Sequence, residues 1–305
     1  MLNFLRLVRW KNLLLIAFVQ LLIKYALLEP FGVAITLNGF GFSILVVATL
    51  CLAAAGNIIN DIFDQDTDSI NKPNRLLIGK FISEKSAYSL FIAFNVIGVL
   101  LGFYLAHLVG KPGFFAVFVC VSALLYIYAS YLKQLPVVGN LVISVLVALS
   151  LLIVGLFELL PAITAYNQQT QLTYFKIIAD YALFAFFINL IRELVKDLED
   201  IPGDYKSGMR TLPIILGRTR ATNIALALST ILLAAVVHYL ITYMYENLWL
   251  VVYFLMAVVA PLLYIVLRLF YAKLVTDYKQ ISTILKLIML TGMSSMLIYK
   301  FILLP

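Results

Sequence analysis

An all-α, polytopic membrane bundle in one domain, residues 1–305, is the fold class the sequence predicts, and three observations predict it. The chain is 64% hydrophobic and only 12% charged, a composition that a soluble core does not need. Nine apolar runs have the length of a bilayer-crossing helix. An acidic pattern near residue 60 returns near residue 197, which predicts two pseudo-repeated halves.

The first run, 13–28, follows Arg6, Arg9, Trp10 and Lys11. It has the look of a signal peptide but lacks a small-residue cleavage site, so it reads as a retained span. Further spans are expected at 42–59, 87–108, 114–132, 137–160, 174–191, 222–243, 248–269 and 281–304. Threading them back and forth puts most Lys and Arg on one side, including Arg6, Arg9, Lys11, the basic residues of 72–85, Lys133 and those of 192–220. Lys24, Lys111, Lys176 and Lys300 fall on the other. This bias predicts a cytoplasmic membrane protein with the N-terminus and both acidic loops in the cytoplasm and the C-terminus outside. The net charge of +7 is then a matter of topology and does not argue for nucleic acid. Cys51 and Cys120 sit in apolar segments and read as packing residues, with no disulfide or metal site. His107 and His238 lack ligand-spaced partners. Nothing points to an obligate protein partner; the bilayer is the expected surrounding.

The chemistry is concentrated at two stretches. Asn60, Asp64 and Asp68 are spaced i, i+4, i+8 and line one helical face. Asp61, Asp64 and Asp68 are matched by Asp197, Asp200 and Asp204, 136 residues later. With Glu193 the second set reads i, i+4, i+7, i+11, again one face. Pro202 and Gly203 are expected to end that helix, leaving a loop to present Asp204. Carboxylates this dense repel one another unless cations intervene, and all-oxygen ligands suit Mg²⁺. Lys72, Arg75, Lys206 and Arg210 trail the two sets, and carboxylates beside cations suit a metal–phosphate site. Lys133 lies on a short loop after Tyr126, Tyr128 and Tyr131; Lys80, Lys85, Arg218 and Arg220 read as topological charges. Asn12, Asn140 and Asn189 are buried polar residues in apolar spans, where such groups commonly bond neighbouring helices.

Asn60-Asp61-x-x-Asp64-x-x-x-Asp68 with Arg75, and Asp197-x-x-Asp200-x-x-x-Asp204 with Gly208, Arg210, Thr211, Leu212 and Pro213, resemble the two signature loops of the UbiA superfamily of intramembrane prenyltransferases. Residues 68–75 and 192–200 look most like its digeranylgeranylglyceryl phosphate synthase branch. The resemblance implies nine spans around a central cavity, capped by the signature loops at 60–80 and 193–213. It implies Mg²⁺-dependent transfer of a polyprenyl group, geranylgeranyl by this branch, from its diphosphate to a lipophilic acceptor, prenylglycerol phosphate. An aromatic acceptor such as 4-hydroxybenzoate or dihydroxynaphthoate is the alternative within the family, and a cation transporter the alternative outside enzymology. Carried onto this chain, Asn60, Asp64, Asp68, Asp200 and Asp204 hold the metal, the four aspartates being the catalytic set. Lys72, Arg75, Lys133, Lys206 and Arg210 bind the diphosphate. Asp61, Glu193, Asp197, Arg9 and Asn12 are candidates for acceptor or second-metal binding. The sequence departs from the family after Arg75, where Leu76-Leu77-Ile78-Gly79 replaces a Pro-rich turn and alters the rigidity expected of that loop.

Overall fold

The computed structural model describes residues 2–73 and 76–303, with 300–303 described by their backbone only. Nine helices among the described residues are long and apolar enough to cross a membrane, one for each run read from the sequence. The chain forms two compact units, Met1–Lys133 with Leu149–Asp180 and Gln134–Ala148 with Tyr181–Pro305.

The first unit begins with a short helix, α1 (Leu2–Leu7), and a break at Arg9, whose backbone is left-handed at φ 52°. Asn57 donates to the Val8 carbonyl at 3.0 Å and fixes that break. Next come α2 (Trp10–Phe31), α3 (Gly39–Phe63), α4 (Gln65–Asn71), α5 (Glu84–Leu108) and α6 (Pro112–Ser130). Burial of apolar surface does little to join helices in lipid, so close approach through small residues takes over. Ala48, Ala54 and Ala55 of α3 are buried. A methyl at Gly102 of α5 would overlap the ring of Phe118 on α6.

At its start, α3 is capped by Asn38, whose side-chain oxygen accepts from the Gly41 N–H at 2.8 Å. This end carries a buried ion pair that the sequence did not announce. Lys24, read as an outer-loop charge, lies instead on a π-helical turn of α2, Ile23–Leu28, with its side chain 1% exposed. Its ammonium meets Glu158 at 2.7 Å and the Leu37 carbonyl at 2.6 Å. Glu158, the other partner, also accepts from the Leu37 N–H at 2.9 Å. A charge in hydrocarbon must find a counter-charge, and here the pair ties the connection before α3 to the rest of the unit. Glu158→Ala, which leaves Lys24 with the more distant Glu29 at 3.8 Å, is expected to cost about 3 kcal/mol, whereas Lys24→Met with Glu158→Leu is expected to be near neutral. Thermal unfolding of the detergent-solubilised protein reads both.

Further along the chain run α7 (Val138–Ala162), α8 (Gln168–Lys206), α9 (Leu212–Leu216), α10 (Arg218–Tyr243), α11 (Leu248–Tyr271) and α12 (Val275–Leu303). In the second unit Phe184 of α8 packs over Gly292 of α12. Tyr181 bonds Ser295 at 2.6 Å, and the hydroxyls of Thr222 and Tyr278 meet at 2.9 Å.

The sixth span departs most from expectation. Its apolar run stops at 191, but α8 continues for four more turns to Lys206, with Pro202 inside it. Past that point the helix becomes two-sided. Leu194, Val195 and Leu198 are buried, while the acidic residues share another face. Proline removes one backbone bond, to the carbonyl four residues back, and this amphipathic stretch tolerates the loss. Asp204 therefore lies on the helix and not on a loop, and it is buried.

Candidate active site

In the first unit the acidic set sits where α3 gives way to α4. Asp64 is the joint, with φ −91° and ψ 4°, yet the hydrogen-bond ladder passes through it. The Asp64 N–H donates to Asn60 at 2.9 Å, Asp68 to Asp64 at 2.7 Å and Lys72 to Asp68 at 2.9 Å. The i, i+4, i+8 face read from the sequence is thus kept across the bend.

The side chains form a small network. Asn60 donates its amide N–H to Asp64 Oδ2 at 2.6 Å. Lys133, on a 3₁₀ turn after α6, is paired with Asp64 and reaches Asn60 Oδ1 at 3.5 Å. Its side chain is 9% exposed, so it is a member of this network and not a surface charge. Asp61 is taken up by Arg9, whose guanidinium donates to it at 2.6 Å; the left-handed turn at Arg9 makes that reach possible. Asp68 is pushed up to about 6, first by burial and then by the charge of Asp64, against an opposing pull from Lys72. Asn12 and Lys72 are half-buried, and Arg75 lies outside the described residues. At the departure, Leu77 and Ile78 are buried in one cluster with Leu7, Val8, Ile58 and Ile62, and Gly79 at φ 82° closes a turn onto Ile82.

In the second unit the acidic face is carried by α8. Glu193 is held by Arg192 at 3.2 Å and by Lys196 at 2.7 Å. Asp197 accepts from the Asn140 amide at 2.9 Å. The Asn140 carbonyl accepts from Ser144 at 2.6 Å, and Ser144 accepts from Asn189 at 3.2 Å. Asn140 and Asn189 thus bond neighbouring helices as expected, but Asn140 also fixes one of the repeated aspartates. Its position in an apolar span was the only signal of that role. Asp200 is half-buried; Lys206 and Arg210 are exposed. Gly208, left-handed at φ 73°, ends this stretch, and the Arg210 N–H is anchored on the Gln134 carbonyl at 3.0 Å.

The two sets are built alike: the leading aspartate of each, Asp61 or Asp197, is held by a protein donor, and two acids follow at intervals of three and four residues. Among the described residues no three carboxylate, imidazole or thiol groups converge closely enough to hold an ion by themselves. Asn60, Asp64 and Asp68 nevertheless fit Mg²⁺ in donor chemistry. They offer oxygen ligands only, few enough that water and phosphate oxygens must complete the shell, which is how Mg²⁺ is usually held. The Lys133 ammonium against Asn60 and Asp64 shows that this spot accepts positive charge.

Comparison with known proteins gives this arrangement a setting. Residues 13–288 match the model of the UbiA prenyltransferase family. A digeranylgeranylglyceryl phosphate synthase of Methanosphaera stadtmanae is 31% identical over 227 residues, 72% of this chain and 74% of that protein. A UbiA homolog from Aeropyrum pernix K1 shares the fold with a TM-score of 0.67 at 15% identity, over 98% of both chains. A UbiA homolog from Archaeoglobus fulgidus bound to GPP and Mg²⁺ does so with a TM-score of 0.56 at 17% identity, over 97% of this chain and 99% of that one. Motif, fold and family match agree: this chain, an integral membrane protein, belongs to the UbiA prenyltransferase family.

Proposed function

We propose that the protein carries out Mg²⁺-dependent transfer of a geranylgeranyl group from its diphosphate to prenylglycerol phosphate, forming an ether lipid. The observation that carries this reading is the acidic pattern found twice, with cations beside each copy. Curated relatives named digeranylgeranylglyceryl phosphate synthase support the acceptor, and a fold neighbour bound to GPP and Mg²⁺ supports the donor.

In this reading Asn60, Asp64 and Asp68, and likewise Asp200 and Asp204, would hold Mg²⁺. Bound there, Mg²⁺ neutralises charge on the departing phosphate oxygens. Lys133, Lys72, Arg75, Lys206 and Arg210 supply the remaining positive charge around the leaving group, where negative charge develops as the allylic C–O bond breaks. The electron pair departs with the diphosphate, and the acceptor hydroxyl oxygen forms the new C–O bond. Its proton passes to the released diphosphate. The apolar helices keep water from the allylic cation. Asp61 and Asp197, held by Arg9 and Asn140, are positioning residues that orient the acids following them. The acidic ends face the cytoplasm, from which the diphosphate is drawn.

Mass spectrometry of products tests the assignment. Purified protein given geranylgeranyl diphosphate and a panel of prenylglycerol phosphate, 4-hydroxybenzoate, dihydroxynaphthoate and haem is expected to yield the diprenylated glycerol phosphate. An aromatic product would move the acceptor to quinone synthesis. Cation flux in liposomes without prenyl transfer would remove the enzyme reading.

A further inference from the structure

We infer that the corner where α10 begins and α11 turns into α12 seats the headgroup phosphate of an anionic membrane lipid. Three cations meet there: Arg218 at the start of α10, Arg268 near the end of α11 and Lys273 in the turn. Arg220 and Lys279 stand exposed close by in sequence on α10 and α12. The one acid at the corner, Asp277, is taken by Arg268 at 2.9 Å. Among the described residues no carboxylate pairs with Arg218, Arg220, Lys273 or Lys279, so the surplus of positive charge is real. Clusters of four or more Lys and Arg at the ends of membrane spans attract anionic lipid. Because α10 follows the second acidic set through α9, this corner lies on the side proposed above to face the cytoplasm.

The corner is also built before any ligand arrives. Arg218 Nη1 donates to the Lys273 carbonyl at 3.4 Å. Asp277 Oδ2 accepts from the Lys273 and Leu274 N–H groups at 3.1 and 3.0 Å. The buried Tyr278 donates its hydroxyl to the Ala272 carbonyl at 3.4 Å. The turn is thereby tied to both α10 and α12, which lowers the ordering cost of binding. Arg268 Nη2 is used by Asp277 and by Gln280 at 3.0 Å, while its Nε is shielded from water and lacks a partner. A donor in that condition normally finds an acceptor, and guanidinium N–H groups suit phosphate oxygens. Beside these cations Phe270, Tyr271 and Leu274 are 69%, 71% and 65% exposed. In a bilayer such side chains meet lipid, with tyrosine at headgroup level. Acyl chains against the apolar residues therefore bring a phosphate to the cations. A zwitterionic headgroup would bring its own positive charge to the same place, so the seat selects lipids of net negative charge.

Native mass spectrometry of the full chain, released from nanodiscs holding equal phosphatidylglycerol and phosphatidylcholine, tests the inference. The wild type is expected to retain phosphatidylglycerol in preference. A cation near a membrane surface is worth about fivefold. Arg218→Gln with Lys273→Gln is therefore expected to weaken the preference about thirtyfold, and Arg218→Lys with Lys273→Arg to keep it. Lys273→Gln alone, whose side chain gives up no bond among the described residues, is expected to account for about fivefold and keeps the test free of misfolding. Added phosphatidylglycerol is expected to raise the thermal midpoint of the wild type but not of the double Gln variant. Equal retention of the two lipids by the wild type, or a preference undiminished in the Gln variants, would overturn the assignment. Displacement of phosphatidylglycerol by millimolar inorganic phosphate would make this a site for soluble anions and would overturn the lipid reading as well.

Discussion

Asp64→Asn is expected to lower prenyl transfer by about a thousandfold or more, the scale reached when charge stabilisation of a leaving group is removed. The substitution keeps the shape of the side chain and removes only its charge. Asp64 is the joint between α3 and α4 and the shared partner of Asn60 and Lys133. Its backbone bonds to Asn60 and Asp68 do not involve the carboxylate, so the bend survives the change. The ion pair with Lys133 does not, and because Lys133 is 9% exposed some stability goes with it. Asp64→Asn with Lys133→Met removes that contribution by deleting both charges. If activity is lost because an unpaired lysine distorts the site, the double variant returns to the activity of Lys133→Met alone; if the carboxylate holds the metal, the double variant falls far below Lys133→Met alone. Asp200→Asn is the matching test in the other unit and is expected to be as severe. Rates of product formation measured well below the unfolding temperature of each variant decide the matter. Full activity in either variant would take that residue out of the catalytic set.

The fold was legible in this sequence because a membrane span needs about twenty apolar residues in a row, and each such run became a helix. What hydropathy could not show was where a helix continues after its apolar run ends. In α8 the spacing of Glu193, Asp197, Asp200 and Asp204 already gave the correct continuous face. Pro202-Gly203 argued locally for a stop, and the burial of Leu194, Val195 and Leu198 outweighed it. The acidic residues of the candidate site were legible from their repetition, their hydrogen-bond and ion-pair partners much less so. Arg9 and Asp61 are 52 positions apart, and Lys133 and Asp64 are 69. Nothing local to either member of such a pair reports the other. Lys24 shows the same limit: a lone lysine near a span end reads as a loop charge until Glu158, 134 positions later, is placed against it.

Chelation by EDTA is expected to abolish turnover, and Mg²⁺ to restore it, with a requirement that rises as the solution is made more acid. The sign follows from Asp68. Burial and the neighbouring Asp64 charge push its carboxyl up to about 6, so it is mostly ionised at neutral pH and becomes protonated as pH falls through that value. A protonated carboxyl is a poor ligand for a hard cation, and protons compete with the metal for the same oxygens. Half-saturating Mg²⁺ is therefore expected to rise by about tenfold for each unit of pH below 6, the limit for one proton displaced. Above pH 7 it is expected to change little. Asp68→Asn separates this effect from general acid damage. Without a titrating carboxyl at that position, the residual activity of the variant should need more Mg²⁺ at neutral pH and lose the rise on acidification. A wild-type enzyme indifferent to chelation would remove the metal from the reaction. A steep acid dependence retained by Asp68→Asn would shift the titration to another acid of the sets.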